Sequence, residues 1–176
     1  MLWKMYGRLY TAIRDIDPDH MISMEAAWDW GFLPDPKEKG WENVVYQMHF
    51  YAMAEGEAGS WEVQNNFVEN KLRECKEHLA SWNVPVYVGE FNVFAFNDIW
   101  TKYIAGFREN NIQWTNWTYK VSSNYGNWGL YNNAKLTAPS VANDSFDSLK
   151  EKFAKYTSDN FNKNEEFINT LKEALK

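Results

Sequence analysis

Four short apolar runs of strand type recur along this chain with helical periodicity before and between them, and that alternation constrains the fold more than any other feature. The runs occupy residues 21–27, 44–51, 84–92 and 112–119. Ahead of the first, Leu2, Met5, Tyr6, Leu9 and Ile13 stand at helical spacing over residues 2–15, until Asp17-Pro18-Asp19-His20 breaks the pattern. A loop bearing tryptophan and proline, residues 28–41, separates the first two strands. A helix is expected over 63–82, with Phe67, Leu72, Cys75 and Leu79 inward, and another over 99–110, with Ile99, Tyr103, Ile104 and Phe107 inward and Asn97-Asp98 as its N-cap. Two closing helices are expected over 145–156 and 165–175.

Strands that alternate with helices pair in parallel, because each crossover lays a helix on the sheet. The expected fold class is therefore α/β. Four strands do not close a barrel, which needs about eight strands and about 250 residues. Residues 1–176 read as a single incomplete domain, with 1–16 a helix ahead of the first strand and 145–176 the closing helices.

Composition narrows the function classes. The chain is 45% hydrophobic, enough for a core, and 18% aromatic, with ten tryptophans, several of them in loops beside Asn, Asp or Gly. Flat apolar rings with polar tips suit the faces of sugars. The net charge is −6 with no run of Lys or Arg, which argues against nucleic acid or an anionic membrane surface as partner. No apolar stretch approaches the ~20 residues of a spanning helix. The opening residues carry Lys4 and Arg8 within the apolar pattern and lack a small-residue cleavage site, so they do not read as a secretion signal. Cys75 is the sole cysteine, which excludes an internal disulfide. No Cys/His cluster suggests zinc and no glycine-rich loop suggests phosphate, so neither metal nor cofactor is expected.

The third run ends in Gly89-Glu90-Phe91-Asn92 and delivers a carboxylate to the C-terminal rim of a parallel sheet, where α/β proteins place their chemistry. His49 and Tyr51 lie two apart on the second run and so share one face, the arrangement that paired donors to one carboxylate require. Glu25 also ends a strand and could face the same cleft. Trp117 stands at the rim of the fourth run, and Trp28, Trp30 and Trp128 lie on rim-side loops as candidate sugar contacts. Trp114 reads as packing, and His20 and His78 as surface or capping residues.

Taken in order, Asp17-Pro18-Asp19-His20, Ile22-Ser23-Met24-Glu25, His49-Phe50-Tyr51, Gly89-Glu90-Phe91 and Trp114 to Lys120 resemble glycoside hydrolase family 5, the cellulase family. The resemblance implies the C-terminal half of a (β/α)8 barrel, strands five to eight, and a retaining β-1,4-glucan hydrolase. By that resemblance Glu90 is the nucleophile, His49 and Tyr51 stand beside it, and Trp117 belongs to the sugar platform, with Glu25, Trp28 and Trp128 as further substrate contacts. An extracellular location is what the resemblance implies for the parent enzyme. The family's acid/base glutamate follows Asn at the end of strand four. The one Asn-Glu pair here, Asn164-Glu165, falls in the closing helices, far from any strand end. Two readings stay open: a hydrolase represented by its C-terminal half and inactive alone, or a silent half-barrel that binds carbohydrate weakly or serves a structural role. A homo-oligomer is expected, on the premise that the open barrel exposes an apolar interior and two strand edges.

Overall fold

The computed structural model describes residues 2–123 and 127–176. In chain order its main elements are α1 (Leu2–Arg14), β1 (Ile22–Glu25), β2 (Val44–Phe50), α2 (Trp61–Trp82), β3 (Val86–Phe91), α3 (Asn97–Glu109) and β4 (Gln113–Trp114). There follow β5 (Lys120–Val121), β6 (Tyr131–Asn132), α4 (Phe146–Ala154), β7 (Asn162–Lys163) and α5 (Glu165–Ala174). Strands β1 to β4 form one sheet in the order β1-β2-β3-β4, every pair parallel. This is the expected α/β arrangement of a partial (β/α) barrel. A second sheet, β5-β6-β7, links the segment after β4 to the approach of α5.

The outer face of the main sheet holds the core. Alternation along β2 buries Val44, Tyr46, Met48 and Phe50, and β3 adds Val86, Val88 and Phe91. Helix α3 sets Ile99, Trp100, Tyr103, Ile104 and Phe107 against them, all essentially inaccessible to solvent. Phe91 lies at the centre, its ring 4.9–5.5 Å from those of Trp100, Tyr103, Phe107 and Trp114. Gly106 lets α2 approach α3 closely, since a Cβ there would stand 2.4 Å from Leu72 Cδ1.

Several local expectations are corrected. Helix α1 turns Trp3, Tyr6 and Tyr10 toward the core and leaves Met5, Leu9 and Ile13 exposed, so only part of its apolar arc finds a partner. The fourth strand is two residues long. Its pairing extends through Thr115 N–H to Val88 O, and the chain then leaves the sheet, so Asn116 to Tyr119 are loop. Asn97 does not cap α3. Its amide donates to Glu166 and its carbonyl accepts from Asn127, a tertiary use of the side chain that outcompetes the local cap.

The inner face of the sheet is not the apolar surface expected. It carries Ser23, Glu25, Gln47, His49, Tyr87 and Thr115, with the Tyr87 and Thr115 hydroxyls 2.7 Å apart. The premise offered for a homo-oligomer therefore fails at this face. Covering it with a dry surface would strip water from at least two carboxyl groups and an imidazole.

Candidate active site

One irregularity in the sheet decides where Glu90 points. Met48 pairs with Val88, but the next residue, His49, pairs with Glu90, so Gly89 is the extra residue of a β-bulge. Strict alternation would send Gly89 inward and Glu90 outward into the aromatic core. The bulge leaves both on the inner face and returns Phe91 to the core. Gly89 can hold this place because it has no side chain: a Cβ would meet Gln47 Nε2 at 2.6 Å and His49 Nε2 at 3.0 Å.

The carboxylate delivered in this way has two partners. Tyr51 donates its hydroxyl to Glu90 Oε2 at 2.8 Å, and His49 Nδ1 stands 3.5 Å from the same oxygen. Burial, with the Glu90 charge and hydrogen bond behind it, pushes the Tyr51 hydroxyl far above its ordinary range, so Tyr51 remains a donor at any working pH. On the other side of the imidazole, Nε2 lies 3.4 Å from Glu25 Oε2, which itself accepts from Gln47 Nε2 at 2.6 Å. Glu25 is held above the ordinary glutamate value, first by burial and further by the Glu90 charge. The His49 charge and the Gln47 hydrogen bond oppose that rise. Glu25 and Glu90 thus flank one imidazole. They are not the ~5 Å pair that retaining glycosidases use, because the ring lies between them.

Aromatic side chains extend the site. Trp128 stacks on Tyr51 with ring centroids 5.9 Å apart and meets Phe94 edge-on. Trp117 is 49% exposed in the loop that follows β4, and Trp28, three residues beyond Glu25, is 66% exposed. Either can offer an open indole face to a ligand. Trp30 is corrected: it is 3% exposed, packed on Phe50 and His78 on the opposite face, and cannot reach the rim. His20 pairs with Asp17 on the surface, whereas His78 packs at a tilt against Trp82 and Trp30, and that burial lowers its pKa.

The sequence reading missed two groups. Gln47 touches both Glu25 and His49, and its position two residues before His49 was the available signal. Buried Asn92 anchors the loops carrying the tryptophans: its amide donates to Trp117 O and Asn127 O, and its carbonyl accepts from Phe94 N–H. A separate groove of ≈ 840 Å³ lies between α1 and Trp41, and none of the candidate residues lines it. Among the described residues, no cluster of His, Cys, Asp or Glu is arranged to hold a metal ion, and no helix is long and apolar enough to cross a membrane.

The family model for cellulase, glycosyl hydrolase family 5, matches residues 1–123, which include all four strands of the main sheet and the Glu90 site. The chain belongs to glycosyl hydrolase family 5. It is 25% identical to a beta-xylosidase of Phanerodontia chrysosporium over 65% of this chain and 29% of that protein. Among solved structures it resembles the Clostridial cellulose synthase subunit Z from Clostridioides difficile, with a TM-score of 0.50 and 17% identity over 73% of this chain. The match spans 49% of that protein, so this family 5 chain reproduces about half of its neighbour's fold.

Proposed function

We propose that this chain carries the nucleophile side of a glycoside hydrolase site that acts on β-1,4-linked glycans by a retaining mechanism. The observation that carries the reading is the Glu90 carboxylate, fixed by Tyr51 and His49 at the C-terminal rim of a parallel sheet in a family 5 chain. Glu90 attacks the anomeric carbon to form a glycosyl ester as the glycosidic C–O bond breaks and the leaving oxygen takes up a proton, and a protonated Tyr51 holds the carboxylate in line for that attack. Trp117, Trp128 and Trp28 provide stacking surfaces for pyranose rings, and Glu25 borders the same cleft. The family's description as cellulase and the name of the beta-xylosidase relative both support a glycan substrate.

Retention also needs a carboxylic acid about 5 Å from the nucleophile. In this reading the group comes from outside these four strands, because Glu25 stands behind the His49 ring, and the chain by itself binds sugar weakly and does not cleave natural substrates.

An activated 2-deoxy-2-fluoro glycoside tests the nucleophile separately, since its leaving group departs without acid assistance. A 2,4-dinitrophenyl 2-fluoro-cellobioside and the corresponding xylobioside are expected to esterify Glu90, detected as a mass increase on the peptide containing it and lost in Glu90→Gln. No labelling, or labelling that persists in Glu90→Gln, overturns the reading.

A further inference from the structure

Gln47 has no part in the nucleophile reading, yet it makes more of the site's polar contacts than Glu90 does. Its side chain lies on the inner face of β2, and all of its hydrogen-bonding capacity toward neighbours is directional. Its Oε1 accepts from Ser23 Oγ at 3.2 Å. Its Nε2 lies 2.6 Å from Glu25 Oε2 and 3.1 Å from His49 Nε2. The amide orientation is fixed by these neighbours. Turning it over would press Oε1 against a carboxylate oxygen, two acceptors at hydrogen-bond distance, and would leave an N–H₂ facing the hydroxyl.

An amide N–H₂ has two protons, and both are used. One goes to Glu25. The other is directed at His49 Nε2, which can receive it only if that nitrogen carries a lone pair. A neutral imidazole with its lone pair on Nε2 carries its proton on Nδ1, the nitrogen 3.5 Å from Glu90 Oε2. The opposite tautomer would turn its Nε2–H toward Glu25 Oε2 at 3.4 Å, but Gln47 already occupies that oxygen at 2.6 Å, and the tautomer is penalised twice. It would set an Nε2–H against the Gln47 N–H₂ and turn an Nδ1 lone pair toward the Glu90 carboxylate.

We propose that Gln47 is a positioning residue that locks neutral His49 in the Nδ1–H tautomer, so that a proton rather than a lone pair faces the Glu90 carboxylate. The consequence for Glu90 rests on its reading as the nucleophile, while the tautomer itself does not. Gly89 belongs to the device, since a methyl group at that position would occupy the space of the Gln47 amide. Glu25 and Ser23 hold the amide from its two ends, which makes the carboxylate on β1 a support for the lock.

The ring nitrogens of the chain's three histidines can be read by long-range ¹H–¹⁵N NMR, with His20→Gln and His78→Gln used for assignment. In the wild-type protein, at a pH where the ring is neutral, His49 Nε2 is expected to show the downfield shift of an unprotonated nitrogen and Nδ1 that of a protonated one. Gln47→Leu is expected to move both shifts toward the averaged values of a tautomer mixture. Gln47→Glu places an acceptor beside Nε2 and is expected to move the proton there. A wild-type spectrum with the proton on Nε2 overturns the proposal and needs no variant, so a variant that fails to fold does not shield it. His49 shifts that stay unchanged in a folded Gln47→Leu protein also overturn it. If the wild-type tautomer is as expected but the fluoroglycoside never labels Glu90, the nucleophile reading fails while the lock stands.

Discussion

The two faces of β3 are built from alternating residues of one six-residue strand and follow opposite rules. Outward, Val86, Val88 and Phe91 enter an aromatic layer with no exposed surface. Inward, Tyr87, Gly89 and Glu90 meet hydroxyls, an amide and an imidazole, and remain partly open to water. Adjacent residues therefore do unrelated work. Phe91 holds α3 and β4 to the sheet, and Glu90 is held by them indirectly, through a backbone the aromatic layer fixes. The difference teaches that the outer face sets stability while the inner face sets chemistry, and the Gly89 bulge is where one is converted into the other.

The sharpest way to break this comparison is to truncate the outer face. Phe91→Ala removes a fully buried ring with four aromatic neighbours and is expected to cost about 3–5 kcal/mol in denaturant unfolding. Glu90→Gln keeps the shape of a part-exposed group and is expected to change stability by less than about 1 kcal/mol. Equal losses for the two variants would mean that the faces are not separate.

Gly89→Ala probes the conversion point. The new methyl group collides with the far end of a flexible Gln47 side chain rather than with backbone, so the expected stability loss is smaller, about 1 kcal/mol. The Gln47 amide must then leave His49, and the His49 ring shifts should change as they do in Gln47→Leu. A stable Gly89→Ala protein with unaltered His49 shifts would count against the tight fit at the bulge.

The smallest effect expected concerns pH. Glu25 has a folded pKa raised above its unfolded value, so the folded state binds its proton more tightly. Stability is then favoured at low pH and declines as pH rises from the ordinary glutamate range through the raised folded value. Glu25→Gln removes that decline. Denaturant midpoints measured from about pH 4 upward should show the variant gaining on the wild-type protein as pH rises. A gap that widens in the opposite direction would show that the His49 and Gln47 contacts outweigh burial at Glu25.

Much of this architecture was legible in residue patterns. The 3.6-residue periodicity of Ile99, Tyr103, Ile104 and Phe107 marked the buried face of α3, because a helix between two apolar layers must repeat apolar residues at that spacing. The same reasoning placed α1 but not its packed face, because its apolar residues cover a wide arc and Tyr6, Trp3 and Tyr10 face the core while Met5, Leu9 and Ile13 stay exposed. Thr115 remained in the sheet through its N–H to Val88 O while Trp117 left it, a boundary that the apolar composition of the run does not mark.

The candidate site divides along the same line. From the sequence came the residue types and their approximate station: a carboxylate ending a strand, two donors spaced two apart on the next, and tryptophans in the loops. These follow from strand periodicity and from the chemistry each side chain can perform, both of which are local properties. The tertiary structure alone decided that Glu90 faces inward, because a bulge is a mismatch between two strands and has no meaning in either one. It alone placed Gln47 between Glu25 and His49, since three side chains on two strands converge only once the register is set. Local sequence dictates what each residue can do, and the pairing of strands dictates which of those capacities meet.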